Sequence, residues 1–478
     1  MKKVFSLLNC LLLIFILLSC SNTITIVIKS DKLEDINYTL EKKDYYTVSD
    51  LMVFDTKYLF LGYSFNNKDL IDYKFKLNNN DVIYAIFGVE LDFFDIKSVG
   101  KVFITTGEEI NSKEEYKNAR VLIAKDEYQI ESDVLIRLRG NSTLWVPKKS
   151  YKLKFNSKVD IMGMGEDKEW GLLANYFDPT YLRNYYAYKL AISLGLEFSC
   201  EVEFVEVYLN NEYQGLYLLS ELVKTSKERV NIEDEPYSFL LELDDKLVAD
   251  NPNYKDLIDD EIFLLDNSKY SKVYSFGTKY PKSFKDIDNS YYEYIKEYMN
   301  TVFSSVRNKT FYDYIDIDSF INYYLIQELF MNVDVDYSSV FMYKHGDEKL
   351  KFGPIWDFDL SSGNVSYVYN YNPNSFMKNL NGGSYLFETA LNDINFRNMV
   401  VERLVFINEK IIPLMISSID KNKEFLKNYA KLDNDVWNVL ADHNWARPEH
   451  LVNISYEEQV RYFKNFIILH NNYMLANY

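Results

Sequence analysis

The chain has 478 residues, enough for a large core and for a main domain with an accessory one. Its formal net charge of −18 excludes binding to a nucleic-acid backbone as the main activity, because no long basic run offsets it, and slightly favours basic partners. We attribute the 42 Tyr and 32 Phe residues to AT-rich codon usage rather than to sugar-binding platforms.

The first twenty residues have the pattern of a bacterial lipoprotein signal peptide. A basic start (MKK) precedes an apolar run, residues 4–18, that is too short for a membrane span. A small residue then precedes Cys20, which indicates lipidation of that thiol; a plain cleaved signal peptide is the alternative. Lipid on Cys20 would anchor an extracytoplasmic protein to the cell envelope.

The cysteine count limits the covalent chemistry. Cys10 lies in the signal and Cys20 would carry lipid, so Cys200 remains alone and an intrachain disulfide is excluded. Zinc held by a Cys cluster is excluded as well, and four His residues do not favour a His-based site. We expect Cys200 to be a small buried apolar residue.

Residues 21–98 are predicted to form a small β-rich accessory region. The segments TITIVIKS, YKFKLNN and VIYAIFGVELDFF alternate apolar and polar residues, with Asn, Asp and Lys between them. No function is predicted for this region.

Residues 99–478 are predicted to form a longer α+β domain. The predicted strands are VFITTG, ARVLIA, VLIRLRG, KSYKLKF and FLLELD, and LRNYYAYKLAISLGL is a predicted helix that ends at a Gly. A hairpin turns at Asn210–Asn211, and its second strand runs into Glu221.

A helical pattern covers residues 316–333, with Asp316 or Asp318 as its cap. A second hairpin follows around Gly346–Asp347, and GPIWDFD comes directly after it. The last hundred residues are predicted to be helical, and the chain shows neither an internal repeat nor a low-complexity linker.

The order of these elements indicates phosphoryl transfer. A helix, Asp334, a hairpin and then Asp357-Phe358-Asp359 follow one another as the catalytic and metal-binding elements do in eukaryotic-type kinases. Such chemistry needs one carboxylate to orient a hydroxyl and others to hold magnesium. Turn or helix-end chemistry is the alternative interpretation of Asp334 and Asp336.

Five sequence blocks in this order resemble the CotH kinase family over residues 99–478. They are RLRGNSTLWVPKKSYKLKF, LLANYFDPTYLRNYYAYKLA, VEVYLNNEYQGLYLLSELV, the helix followed by NVDVD, and GPIWDFD. The resemblance implies an atypical protein-kinase-like fold that binds ATP with Mg²⁺ or Mn²⁺ and phosphorylates Ser or Thr hydroxyls of proteins.

The resemblance also implies roles for single acidic residues. Asp334 corresponds to the catalytic Asp, Asp357 to the metal-binding Asp, and Asp359 to a second metal ligand. Where the family commonly has an Asn ligand, this chain has Ser339, a weaker ligand. Asp336 is an extra carboxylate that could compensate for that change or repel nucleotide phosphates.

The basic block 148–154 resembles the family's phosphate-contacting region. Lys152 and Lys154 face the same way on an alternating strand, and we favour Lys154, then Lys149, as the phosphate contact. An exposed basic strand end is the alternative.

The neighbouring loop and two distant charged residues complete the candidate site. Arg139, Asn141 and Ser142 flank Gly140 in a loop that suits close phosphate approach. Arg183 and Glu221 are candidates for pairing near the phosphates, and structural salt bridges explain them equally well.

The resulting prediction is a secreted, lipid-anchored protein kinase acting on an unidentified surface or envelope protein. We expect Asp334, Asp357 and the strand from Lys149 to Lys154 to meet at one cleft. The alternative is a non-catalytic adhesion protein, which Ser339 and the scarcity of extracytoplasmic ATP favour. A glycosidase using Asp357 and Asp359 is disfavoured, because alternate residues of an extended segment point apart.

Overall fold

The structure, a computed structural model, describes residues 23–47, 50–51, 56–71, 74–249, 253–267, 272–335, 337–368, 371–379 and 385–478. The predicted signal peptide, the lipidation site at Cys20 and the extra carboxylate of Asp336 lie outside these ranges. The chain forms two compact units that divide between Phe93 and Phe94, whereas the sequence analysis placed the boundary at residues 98 and 99.

The first unit is a β-structure. Its strands are β1 (Thr23–Lys29), β2 (Ile36–Glu41), β3 (Tyr46–Thr47), β4 (Tyr58–Ser64), β5 (Lys74–Phe75) and β6 (Val82–Glu90). One sheet has the order β2-β1-β6-β4, and β3 pairs with β5. Ile24, Ile26 and Ile28 alternate into its core, as the period-two pattern requires.

The second unit begins with a closed β-barrel. Its strands are β7 (Gly100–Thr105), β8 (Lys117–Lys125), β9 (Tyr128–Arg139), β10 (Ser150–Asp160), β11 (Glu166–Leu173), β12 (Val202–Leu209) and β13 (Glu212–Ser220). They close in the order β10-β11-β13-β12-β7-β8-β9, with β7 parallel to β12. Inward-facing Val, Ile and Leu side chains pack around the fully buried Trp170.

A second sheet in this unit carries the remaining strands. They are β14 (Phe239–Leu243), β15 (Ile262–Asn267), β16 (Lys272–Tyr280), β17 (Val340–Lys344) and β18 (Lys351–Phe352), in the order β15-β16-β14-β17-β18. The helices are α1 (Arg183–Ser193), α2 (Lys246–Ala249), α3 (Asn289–Asn308), α4 (Ile317–Phe330), α5 (Tyr385–Ala390), α6 (Ile394–Phe406), α7 (Ile412–Trp437) and α8 (Tyr456–Asn477). Across the described ranges, no helix combines the length and apolar character that crossing a membrane requires.

The predicted α+β class is confirmed, and so are several of its local elements. Asn210 and Asn211 both have positive φ, 50° and 68°, as a two-residue hairpin turn between β12 and β13 requires. Asp316 caps α4 by accepting the Ser319 N–H at 2.8 Å. Strands β11, β15 and β16 and helix α3 were not predicted.

One buried ion pair joins the barrel to helix α7. Nζ of Lys148 lies 2.5 Å from Oδ1 of Asp433, and neither side chain is exposed to solvent. The same Nζ donates to the Leu216 carbonyl at 2.6 Å, and Oδ1 of Asp433 also accepts the Leu216 N–H. Gly215, at φ +105°, must be Gly because a Cβ there would collide with the Asp433 carboxylate.

Candidate active site

A cavity of about 890 Å³ in the second unit brings together residues of the barrel and of the second sheet. The barrel contributes a basic wall from β9, β10 and the loop between them. A second, acidic wall comes from the end of β14, the turn after α4 and the segment after β18. Asp334, Asp357 and Lys152 all line this cavity, so the expected meeting of the two aspartates with the basic strand occurs there.

Asp334 lies in the turn that follows helix α4. The helix ends at Met331, which has a left-handed φ of 45°, and the Asp334 carbonyl accepts the N–H groups of Tyr337 and Ser338 at 2.9 Å each. Oδ1 of Asn332 accepts the Asp334 N–H at 3.2 Å. The turn therefore holds the Asp334 backbone in place from both sides.

Asp357 lies in the segment after β18 and has a left-handed φ of 65°, which costs energy for a residue other than Gly. Asn332 Nδ2 donates to the Asp357 carbonyl at 3.3 Å, so a single amide side chain contacts both aspartate-bearing turns. The next residue, Phe358, is buried and donates its N–H to Asn184 Oδ1 at 2.7 Å. Trp356 stacks on the ring of Tyr188 at 5.8 Å, so aromatic packing holds this segment.

Three of the carboxyl groups in the acidic wall, those of Asp334, Asp357 and Asp359, interact electrostatically. Burial raises the pKa of Asp334 to about 6; the Lys246 ammonium opposes this rise and Asp357 adds to it. Burial also raises the pKa of Asp359 well above its usual range, and the largest electrostatic contribution comes from Asp357, followed by Asp178. Asp334 and Asp359 therefore hold their protons more tightly than an ordinary Asp does.

The expectation that Asp357 and Asp359 point apart is wrong. Both side chains line the cavity, and a hydrogen bond between the two carboxyl groups, which requires a proton on Asp359, contributes to the raised pKa of Asp359. The reason is local: the segment is not extended, because Asp357 is left-handed and a turn begins at Asp359. Contact at hydrogen-bond distance still disfavours a glycosidase, whose two carboxyl groups stand about 5 Å or more apart.

The acidic wall fits a hard divalent cation only when other ligands complete the site. Among the described residues, no group of three or more His, Cys, Asp or Glu side chains is placed to hold a metal ion. Magnesium usually takes one or two carboxylates from a protein and its remaining ligands from water and phosphate. Asp357 and Asp359 supply that number of carboxylates, and a cation beside them would stabilise the charged form of Asp359 that burial disfavours.

Two serine hydroxyls lie near the predicted position of a further metal ligand. Ser339 lines the cavity, is partly buried and has a positive φ of 60°. Ser338 also lines the cavity, is 3% exposed, and its Oγ has no hydrogen-bond partner within the described ranges. The sequence analysis singled out Ser339 and missed Ser338, because spacing along the chain does not show which of two adjacent hydroxyls is buried.

On the basic wall, Lys152 is the lysine of the 148–154 block that lines the cavity. Its Nζ lies 2.8 Å from Oε1 of Glu169 on the neighbouring strand β11. Lys224 also contacts Glu169, at 3.1 Å, so this carboxylate lies between two ammonium groups. An ion pair on paired strands holds Lys152 in one place.

The preference for Lys154 and Lys149 over Lys152 does not agree with the geometry. Lys154 faces the same way as Lys152, as strand alternation predicts, but it is exposed and its Nζ lies 5.7 Å from the Tyr116 ring centre, outside the cavity lining. Lys149 donates to the carbonyls of Leu144 and Val146 at 2.7 Å each, which is a structural role.

The loop between β9 and β10 lines the cavity as expected. Arg139 is partly buried, with its guanidinium 5.2 Å from the Trp356 ring centre, and it interacts electrostatically with Asp357. Gly140 has a φ of +91°, and a Cβ there would collide with the Thr143 hydroxyl. Asn141 accepts from Lys113 at 3.1 Å. Ser142 begins a short 3₁₀ turn and also lines the cavity.

Arg183 and Glu221 form structural ion pairs away from the cavity lining. Arg183 is fully buried, with Nη1 2.5 Å from Asp178 and Nε donating to the Ser361 carbonyl at 2.9 Å. Glu221 pairs with Arg229, and burial raises the pKa of Glu221. Of the two interpretations left open by the sequence, the geometry favours the structural one. Cys200 is buried, as predicted, and burial raises the pKa of its thiol.

Lys246 was missed by the sequence analysis although it lies in the acidic wall. Its Nζ is 3.8 Å from Oδ2 of Asp334. Its neighbours Glu242 and Asp244 line the cavity at alternate positions along the chain. Charged residues thus continue to alternate past the end of the buried strand β14. This pattern is the sequence signal that could have indicated Lys246 as a residue of the cavity.

The fold and the cavity define an α+β protein with a deep, charged cavity of enzyme size, built where a barrel meets a second sheet. The family model described as CotH kinase protein matches residues 136–474, and the chain therefore belongs to the CotH kinase family. No curated protein matches the chain significantly. The match confirms the resemblance inferred from the five sequence blocks, and it contains every candidate site residue from Arg139 to Asp359.

Proposed function

We propose that this protein is a CotH-type kinase that transfers the γ-phosphate of ATP to Ser or Thr hydroxyls of other proteins. The observation that carries the proposal is that Asp334, Asp357 and Lys152 line one cavity. Family membership supports a kinase, and the cavity supplies the charges that phosphoryl transfer needs on its two walls.

Each wall has a separate task in this proposal. Asp334, with a pKa of about 6, is mostly ionised at neutral pH and can accept the proton of an acceptor hydroxyl. Asp357 and Asp359 would hold Mg²⁺ or Mn²⁺, which supplies charge neutralisation at the phosphates. Lys152 and Arg139, together with the loop at Gly140, would bind and orient the phosphates.

The proposal extends to location and partner. The lipoprotein pattern at residues 1–20 supports an extracytoplasmic enzyme held at the membrane by lipid on Cys20. Its substrate would then be a surface or envelope protein, and the net charge of −18 slightly favours a basic one.

Transfer of labelled phosphate from ATP tests the enzymatic proposal directly. The purified protein is incubated with Mg²⁺ or Mn²⁺ and basic protein substrates, and we expect label on itself or on them. Asp334→Ala and Asp357→Ala should lose transfer with their folding intact, while Lys154→Ala, outside the cavity lining, should retain it. Absence of transfer from the wild-type protein with either metal contradicts the proposal.

A non-catalytic surface protein that retains the fold is the second candidate. Two observations favour it: Ser339 stands where the family commonly has Asn, and the described residues lack a third strong ligand beside Asp357 and Asp359. Thermal unfolding with and without ATP and metal separates the candidates. A kinase should be stabilised by the pair of ligands, and an adhesion protein should show no shift.

A further inference from the structure

Lys246 lies beside the Asp334 carboxylate but too far away to be hydrogen-bonded to it, so its ammonium group can interact with a ligand. Its Nζ is 3.8 Å from Oδ2 of Asp334, and its side chain is 26% exposed. The same Nζ lies 5.5 Å from the ring centre of Tyr337. A separation of 3.8 Å exceeds a hydrogen bond, so the two charges attract each other without fixing the ammonium N–H groups on the carboxylate.

The backbone that carries Lys246 is fixed to the catalytic turn. The N–H of Asp245 donates to the Tyr337 carbonyl at 2.7 Å, and Oδ1 of Asp245 accepts the Ser275 N–H at 3.0 Å. The N–H of Lys246 donates to Asp244 Oδ1 at 3.1 Å. The flexible part of Lys246 is therefore its four-carbon stem, which starts from a fixed point next to Asp334.

The surroundings of Lys246 keep it charged. Burial lowers its pKa, but the Asp334 and Asp357 carboxylates outweigh burial and the net effect is a raised pKa. These are the carboxylates that would hold the acceptor hydroxyl and the metal ion. Lys246 is thus a cation that interacts with both groups between which a phosphoryl group would pass.

Two other lysines that line the cavity form short ion pairs with protein carboxylates. Nζ of Lys152 lies 2.8 Å from Glu169, and Nζ of Lys279 lies 2.6 Å from Glu242. Both distances are those of charge-assisted hydrogen bonds, which hold the ammonium group on a protein carboxylate. Lys246, at a longer distance from its carboxylate, can move to a ligand at smaller cost.

We propose that Lys246 binds the terminal phosphoryl group of the nucleotide during transfer, an inference that rests on the proposed kinase function. In that step the acceptor oxygen bonds to the γ-phosphorus and its proton passes to Asp334. The bond from phosphorus to the bridging oxygen breaks, and ADP leaves with the electron pair. The Lys246 ammonium stabilises the negative charge on the equatorial oxygens of the group in transit.

The test compares affinity for ATP with affinity for ADP, because only ATP carries the group that Lys246 would contact. Calorimetry with Mn²⁺ and the full chain measures both nucleotides for the wild-type protein and for Lys246→Gln, Lys246→Arg and Lys279→Gln. Lys246→Gln should weaken ATP about tenfold and ADP less than about twofold, since a hydrogen bond to a charged phosphate is lost only for ATP. Lys246→Arg should restore much of the loss, and Lys279→Gln, which removes a lysine held by Glu242, should change the ATP-to-ADP ratio less than about twofold.

Each other outcome has a defined meaning. Equal loss of ATP and ADP affinity in Lys246→Gln, or no loss, overturns the role of Lys246 while the kinase proposal stands. A wild-type protein that binds neither nucleotide overturns both. Thermal unfolding of Lys246→Gln without ligands shows whether the variant folds, and Lys246→Arg provides a second measurement if it does not.

Discussion

The two walls of the cavity handle charge in opposite ways. On the basic wall, Lys152 and Lys224 both pair with Glu169, so the cations are held by the protein itself. On the acidic wall, burial raises the pKa of Asp359 and the neighbouring Asp357 carboxylate raises it further, so the protein disfavours the charged form of Asp359. In the proposed kinase the basic wall would be organised before any ligand binds, whereas a divalent cation would complete the acidic wall.

Of the substitutions in the two walls, the loss of the Asp357 charge should have the largest effect, and the quantity it changes is phosphate transfer. Asp357→Asn keeps the size and hydrogen bonding of the side chain but loses the charge that would hold the metal ion. We expect phosphate transfer to fall on the order of 10²–10³-fold. Labelled-ATP transfer measures the loss, and a variant that retains more than half of wild-type transfer would contradict the assigned role.

Because Asp334 loses its proton as the pH rises, the metal-free protein should become less stable. Its pKa is about 6 in the folded protein against 3.8 for an ordinary Asp, so between these values the folded state binds more protons than the unfolded state. The contribution to stability is therefore present below about pH 4 and lost as the pH rises through 6, by about 3 kcal/mol. Urea unfolding in chelator across pH 4–7 should show this fall in the wild-type protein and a smaller one in Asp334→Asn. Parallel curves would contradict it.

Lys152 and Lys154 offer a matched pair on the basic wall. They face the same way on β10, but Lys152 lines the cavity and Lys154 does not. Lys152→Gln should weaken nucleotide binding about tenfold, and Lys154→Gln less than about twofold. Calorimetry with ADP and Mn²⁺ distinguishes them; a larger loss in Lys154→Gln would restore the original preference for that residue.

The smallest expected effect is a gain in stability. Asp359→Asn removes a carboxyl group whose charged form burial and Asp357 disfavour, and it should raise the unfolding free energy of the metal-free protein by about 1 kcal/mol. Denaturant unfolding measures it, with Asp435→Asn as a control, since Asp435 forms an exposed pair with Lys431. If Asp359→Asn is less stable than the wild type in chelator, the wall is not strained by its charges.

Local sequence signals were sufficient to find the main acidic residues. Asp334 follows a long buried helix and Asp357 follows a hairpin strand, and both signals extend over only a few residues. The predicted order of helix, hairpin and aspartates therefore carried over into the structure. The turn at Asn210–Asn211 was predictable for the same reason, since two residues determine it.

The local sequence patterns did not predict features that depend on residues distant in the chain. Strand alternation shows which way Lys152 and Lys154 face, but not where along the strand the cavity ends. The left-handed backbone of Asp357, which turns its side chain toward Asp359, is imposed by packing of Trp356 and Phe358 against distant residues. Barrel closure through the pairing of β7 with β12 joins segments about a hundred residues apart, which periodicity does not reveal.

The buried pair of Lys148 and Asp433 has a consequence for folding of the chain. The two residues are 285 positions apart, so the barrel strands can pair before the counter-charge of Lys148 is in place. Until Asp433 docks, the barrel must leave that ammonium group in water or bury it at a cost of several kcal/mol. Final closure of this part of the barrel is therefore coupled to docking of helix α7, and a chain cut short before residue 433 would be exposed to proteolysis.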